Sequence, residues 1–153
     1  MIYQLKREQF LNSNIDDVWS FASSPHNLKK ITPKSMGFII TSIPLPSKMY
    51  PGMIITYKVS PILSVKMTWV AEITQVEEKK YFVDEQRVGP YDMWHHEHFF
   101  EECQGGVMMR DVITYKLPFH LLGSVVHGLF VKRKLENIFD FRFKKMDEIF
   151  NQN

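Results

Sequence analysis

The sequence predicts an α+β protein in which an antiparallel sheet of about seven strands faces a long C-terminal helix. Three observations predict it. Residues 121–150 carry apolar side chains at helical spacing, about 100° per residue. Residues 53–117 break into strand-length runs of alternating polarity separated by turn signals. Gln104-Gly105-Gly106 is a strong hairpin signal between two of those runs.

Taken in order, residues 2–11 alternate weakly and read as a first strand. Ser13 or Asn14 then caps a short helix, with Asp16 or Asp17 three residues on and Ile15, Val18, Trp19 and Ala22 on its apolar face. Ser24-Pro25 opens a second short helix carrying Leu28 and Ile31, and Thr32-Pro33 stops it. A strand at 37–43 precedes an irregular loop marked by Pro44, Pro46, Pro51 and Gly52, with Met49 and Tyr50 at its tip. Strands follow at 53–59, 64–76, 80–88, 91–103 and 107–117. In the last third, Leu122, Val125, Val126 and Leu129 share one helical face. Val131, Leu135, Ile138, Phe139, Met146, Ile149 and Phe150 share another, well rotated from the first. One straight helix cannot bury both against one surface, so a short helix, a break near Gly128 and a terminal helix over 130–151 are predicted. Burying the longer stripe supplies about 10–20 kcal/mol of gross stabilisation as an upper bound. Arg142 interrupts that stripe between Phe139 and Met146.

The hairpins carry register information. A two- or four-residue loop around Glu77-Glu78-Lys79-Lys80 places Trp69, Ala71 and Ile73 on one face with Phe82, Asp84 and Gln86. Around Gln104-Gly105-Gly106, His98 pairs with either Asp111 or Ile113. Either register puts Trp94, His96, His98 and Phe100 on the face of Asp111, Ile113, Tyr115 and Leu117. Glu97, Glu101, Arg110, Thr114 and Lys116 fall on the reverse, solvent side. The inward faces are therefore aromatic but carry polar groups, which is not how a dry core is built.

At 153 residues the chain is most simply one domain, with ordinary globular composition: 44% apolar and 24% charged. Aromatic content of 14%, with 12 Phe, suggests a core or pocket walled by rings. A net charge of +2, with no basic run longer than Lys132-Arg133-Lys134, argues against nucleic acid. The single Cys103 excludes an internal disulfide and favours a reducing, cytoplasmic setting. The N-terminus lacks the apolar stretch of a signal peptide, and no window has the length of a membrane span.

The ordered residues Trp69-x-x-x-Ile73, Phe82-x-Asp84, Gly89-Pro90-Tyr91-x-x-Trp94-x-His96-x-His98-x-Phe100, Asp111-x-Ile113-x-Tyr115-x-Leu117-Pro118, Leu122-Gly123 and Phe139-Asp140-Phe141-Arg142 resemble the START-like (SRPBCC) superfamily. Its polyketide cyclase/dehydrase and lipid-transport branch is nearest. The resemblance covers essentially the whole chain and is concentrated in 69–142. It implies one START-like ligand-binding domain over 1–153 with the helix-grip fold. In that fold a curved antiparallel sheet wraps the last helix, two short helices follow strand 1, and a cavity remains inside. It further implies a carrier or sensor for an apolar small molecule. Some relatives are cyclases, aromatases or hydrolases, but the superfamily shares no catalytic signature, so fold does not settle chemistry.

The expected ligand-binding wall is Met67, Trp69, Phe82, Asp84, Trp94, His96, His98, Phe100, Asp111, Ile113, Tyr115, Phe139, Arg142 and Met146. The competing assignment for each aromatic or apolar residue is a filled core. If the cavity is catalytic, His98 and Asp111 form an acid–base pair and Tyr115 a donor, since no Ser or Cys nucleophile lies beside them. His96 and His98 with a carboxylate also match a zinc or non-haem iron ligand set, and Glu102 follows at a spacing like that of the cupin strand motif. The second cupin motif is missing, and no metal or cofactor is expected. Arg142 is expected inside the cavity, paired with Asp84, Asp111 or an acidic ligand group. Met49, Tyr50, Ile62 and Leu63 are candidates for a cavity mouth or a transient membrane contact. A protein-interaction module with a filled core is the remaining alternative.

Overall fold

The computed structural model describes residues 1–60, 65–118 and 125–152. Seven strands run β1 (Ile2–Leu11), β2 (Ile39–Ile40), β3 (Met53–Val59), β4 (Met67–Glu77), β5 (Tyr81–Val88), β6 (Met93–Cys103) and β7 (Gly106–Lys116). Helix α1 (Ile15–Ala22) follows β1, and helix α2 (Val125–Phe150) ends the fold. The sheet order is β1-β7-β6-β5-β4-β3-β2, with every neighbouring pair antiparallel. Consecutive strands from β2 to β7 are neighbours; only β1 crosses over, to pair with β7.

Local chemistry accounts for most element ends. Asn14 caps α1 by accepting a hydrogen bond from the Asp17 amide at 2.9 Å. The second helix of the sequence reading is only a 3-10 turn, Pro25–Asn27, because the proline starts a turn that three residues cannot propagate. The strand expected at 37–43 shrinks to two residues, Ile39–Ile40. At the β6–β7 turn Cys103 pairs with Gly106 and Gly105 adopts φ 85°, so the register pairing His98 with Asp111 is the one realised. The β4–β5 turn differs from expectation. Glu77 pairs with Tyr81 across a three-residue loop, with Lys79 in the left-handed region at φ 64°. An irregularity between Ile73 and Gln75 then restores the expected pairing, Ile73 opposite Asp84 and Ala71 opposite Gln86.

Helix α2 runs unbroken through Gly128, contrary to the predicted break. A mid-helix glycine costs about 1 kcal/mol relative to alanine, too little to stop a helix by itself. The short helix predicted before it falls largely in 119–124, outside the described residues. Val131, Leu135, Phe139, Met146 and Phe150 of the predicted stripe are buried. The C-terminal end of α2 is pinned to β1: Asn151 Nδ2 donates to the Phe10 carbonyl at 3.0 Å, and the Asn12 amide donates to Asn151 Oδ1 at 2.7 Å. Gln9 Nε2 donates to the Phe143 carbonyl at 2.9 Å. One core group gathers around Trp19, Phe82, Phe100, Met146 and Phe150, another around Trp69, Trp94, Tyr115, Leu135 and Phe139.

Candidate functional site

A cavity of about 140 Å³ lies between the sheet and α2, lined by residues of both core groups. The polar side chains on a ring-lined inner face predict a cavity of a few hundred Å³. The smaller volume follows from the rings that fill the space. Trp69 packs edge-on to Trp94 with centroids 5.3 Å apart, and Tyr91 lies 5.0 Å from Trp94. Among the expected wall residues, Trp69, Phe82, Asp84, Trp94, His96, His98, Phe100, Asp111, Phe139, Arg142 and Met146 do line it.

Three do not. Met67 lies at the start of β4, partly exposed. Ile113 is fully buried in packing on the sheet face. Tyr115 stacks on Tyr3 at 5.5 Å, so the donor assigned to it in a catalytic cavity is not in place. The sequence reading missed Tyr57 and Tyr91 as wall residues. Tyr91 was legible in part, since Gly89-Pro90 marks the turn just before it. The Gln86 side chain brackets that turn: its Nε2 donates to the Tyr91 carbonyl at 2.6 Å and its Oε1 accepts from the Tyr91 amide at 3.2 Å. Met49 folds back onto the cavity, Tyr50 is exposed, and Ile62 and Leu63 lie outside the described residues. Glu102 is exposed near the end of β6, beyond the buried stretch that carries the histidines.

The polar part of the wall is a closed box of two histidines and two carboxylates. In the ladder Asp84 stands opposite His96, and His98 opposite Asp111. Asp111 Oδ1 lies 2.9 Å from His96 Nε2 and 2.9 Å from His98 Nδ1. Asp84 Oδ2 lies 2.9 Å from His98 Nε2 and 3.4 Å from His96 Nδ1. Burial pushes the Asp111 carboxyl up, but hydrogen bonds from His96 and His98 outweigh it and hold the group well below the usual carboxylate range. Asp84 is also lowered: burial opposes its charge, and the two histidines prevail. Burial works against charge on His98 too, yet its bonds to Asp111 and Asp84 raise it above an ordinary histidine. His96 is lowered to about 4, first by burial and then by the neighbouring His98. His98 is thus the histidine on which the two carboxylates favour charge, and His96 the one on which burial disfavours it.

Arg142 reaches this box from α2. Its Nη1 lies 3.9 Å from Asp111 Oδ1, and its guanidinium sits over the Phe139 ring at 5.1 Å. Arg142 lines the cavity, and its contact with Asp111 is longer than a hydrogen bond. Arg142 Nε, Trp69 Nε1 and Trp94 Nε1 are buried and have no hydrogen-bond acceptor among the described residues.

Solved structures share this architecture. Protein Ms6760 from Mycobacterium smegmatis superposes with TM-score 0.67 at 18% identity, covering 95% of this chain and 89% of that one. Ara h 8.0201 gives 0.60 at 13%, covering 95% and 98%. The di-domain ARO/CYC BexL from the BE-7585A biosynthetic pathway gives 0.74 at 13%, covering 99% of this chain and 51% of that one. This is the helix-grip fold. No family model matches the chain, and no curated protein sequence does. At these identities the likeness establishes the fold, and the chemistry has to be read from the cavity.

Proposed function

We propose that residues 1–153 act as one helix-grip domain that binds an apolar or amphipathic small molecule, lipid- or polyketide-like, without covalent chemistry. The observation that carries this is the cavity wall: aromatic rings together with three buried N–H donors, on Trp69, Trp94 and Arg142, that lack an acceptor among the described residues. A buried donor left unpaired costs about 1–3 kcal/mol, and a ligand with an oxygen-bearing end would satisfy it. The ARO/CYC di-domains of the BE-7585A and steffimycin biosynthetic pathways share the fold, which supports a polyketide-like ligand class. A cavity at this place counts against the interaction module with a filled core. Acid–base catalysis by His98 and Asp111 is the second reading, favoured by their 2.9 Å contact on the cavity wall. No helix among the described residues is long and apolar enough to cross a membrane. The lone Cys103 supports a reducing, cytoplasmic setting.

Native mass spectrometry of the purified protein tests the binding reading. An added mass that organic solvent extracts as a small apolar molecule is expected. A homogeneous bare chain that also fails to take up a fluorescent apolar probe would overturn it.

A further inference from the structure

The box of histidines and carboxylates has an asymmetry that points to a second kind of occupant. Asp111 Oδ1 receives both His96 Nε2 and His98 Nδ1 at 2.9 Å. A carboxylate only accepts, so a ring nitrogen hydrogen-bonded to one carries a hydrogen: His96 Nε2 on Asp111 and, with no metal bound, His98 Nε2 on Asp84. The remaining nitrogens, His96 Nδ1 and His98 Nε2, both face a single atom, Asp84 Oδ2, at 3.4 and 2.9 Å. Once His98 Nε2 gives up its proton, two lone pairs and an anionic oxygen converge at a point where both histidine side chains are more than nine-tenths buried. That arrangement is repulsive unless a cation sits among the three atoms. A proton on His98 is one such cation. A metal ion is the other.

The spacing suits a metal. Asp84, His96 and His98 each offer one donor atom within 4.8 Å of the others. Metal–nitrogen and metal–oxygen bonds of about 2.0–2.2 Å set neighbouring ligands about 3.0 Å apart in octahedral and 3.4 Å in tetrahedral geometry. The two edges to Asp84, 2.9 and 3.4 Å, match these values, and the edge between the histidines is within 4.8 Å. Asp111 meanwhile does what an outer carboxylate does at a histidine metal site, accepting the far N–H of each imidazole and fixing its tautomer and ring direction. Arg142 makes its nearest carboxylate contact with Asp111, the outer carboxylate, and its charge also reaches Asp84. Charge also accommodates a cation: two carboxylates face one guanidinium, and a metal ion would take the place of the proton that His98 shares with them. Asp84, with a side chain 18% exposed, is the most open of the four, and all four line the cavity.

We propose that Asp84, His96 and His98 form a cavity-facing site for a first-row divalent metal ion of the zinc or iron(II) class, oriented by Asp111. This reverses the sequence expectation of no metal. The sequence offered one carboxylate, Asp111, beside the histidines; the fold adds Asp84 and divides the roles of ligand and orienting group between them. The proposal does not depend on the cavity's organic ligand, because ion binding is read in the ligand-free protein.

The experiment is titration of chelator-treated, delipidated full-length protein with cobalt(II), followed by visible absorption, and with zinc(II), followed by calorimetry. One ion per chain is expected. His96→Ala, His98→Ala and Asp84→Asn should each abolish it, and Asp111→Asn should weaken it by about 10–100-fold. His95→Ala, on the opposite face of the same strand, should leave it unchanged. Asp84→Asn is isosteric, and its far-UV circular dichroism and melting report whether the fold is intact. A readout on the parent alone covers the case in which variants fail to fold: zinc should shift the imidazole NMR signals of His96 and His98. Absence of binding, shifts confined to other histidines, or parent-like affinity in a folded Asp84→Asn protein would each overturn the site.

Discussion

Arg142 brings a single positive charge to the cavity wall. It lies on the buried stripe of α2, its side chain is 15% exposed, and its Nη1 stands 3.9 Å from Asp111 Oδ1. Asp111 has two closer donors in His96 and His98, so the guanidinium is not needed to satisfy it. Its Nε has no acceptor among the described residues. The charge is therefore available to a ligand. Arg142→Met keeps the stem volume and removes the charge. It should weaken ligands with a carboxylate or phosphate head by about 10- to 100-fold, the worth of a charge-assisted hydrogen bond, while neutral analogues keep their affinity. Isothermal titration with a matched acid and amide pair measures this. Equal loss for both would mean that the arginine acts through packing on Phe139 rather than through charge.

Among the elements, the β6–β7 hairpin and its contact with β1 set the register of the whole histidine row. Gly106 sits where β7 begins, and a Cβ there would stand 2.2 Å from the Leu11 carbonyl oxygen, a backbone atom with little freedom to move. Gly106→Ala should destabilise the fold by about 1–3 kcal/mol, as overpacking does, read as a lower denaturant midpoint with an unchanged slope. A shift under about 0.5 kcal/mol would show that β1 yields easily at this point. The β5–β6 connection works differently. Gln86 supplies two side-chain hydrogen bonds to Tyr91 that stand in for a ladder pair, and this clip lies beside the strand pair that brings Asp84 to His96 and His98.

For the whole molecule, the decisive quantity is the space between sheet and α2. Ala71 is buried on the cavity wall, so Ala71→Phe directs a ring into the cavity. A real cavity accepts that ring. The variant should unfold cooperatively at close to the parent's midpoint and should no longer bind the apolar probe. In the parent, ligand at 100 times its Kd should add about 2.7 kcal/mol of stability, and in Ala71→Phe the same ligand should add none. Thermal melts with and without ligand give both numbers. A loss of several kcal/mol in the ligand-free variant would instead mean that this face is packed solid.

The long strands, the terminal helix and their inward faces were determined by the sequence alone, because period 2 and period 3.6 are local properties of the chain. Trp69, Phe82, Asp84, His96, His98, Asp111, Phe139 and Arg142 follow from those periods and meet at one cavity. The tertiary structure decided what no local period encodes. Gly128 lies inside α2 because one glycine costs less than the rest of the helix returns. The β4–β5 turn takes a three-residue loop, and the irregularity beyond it cancels the change of register. The volume of the cavity depends on how Trp69, Tyr91 and Trp94 share space, which is a matter of packing. Above all, the hairpin signals align β4 with β5 and β6 with β7 but leave β5 and β6 unaligned, since nothing in Gly89-Pro90-Tyr91-Asp92 specifies a register. Asp84 therefore could not be placed beside His96 and His98 until the strands were assembled, and with it came the second carboxylate that makes the box a site for a cation.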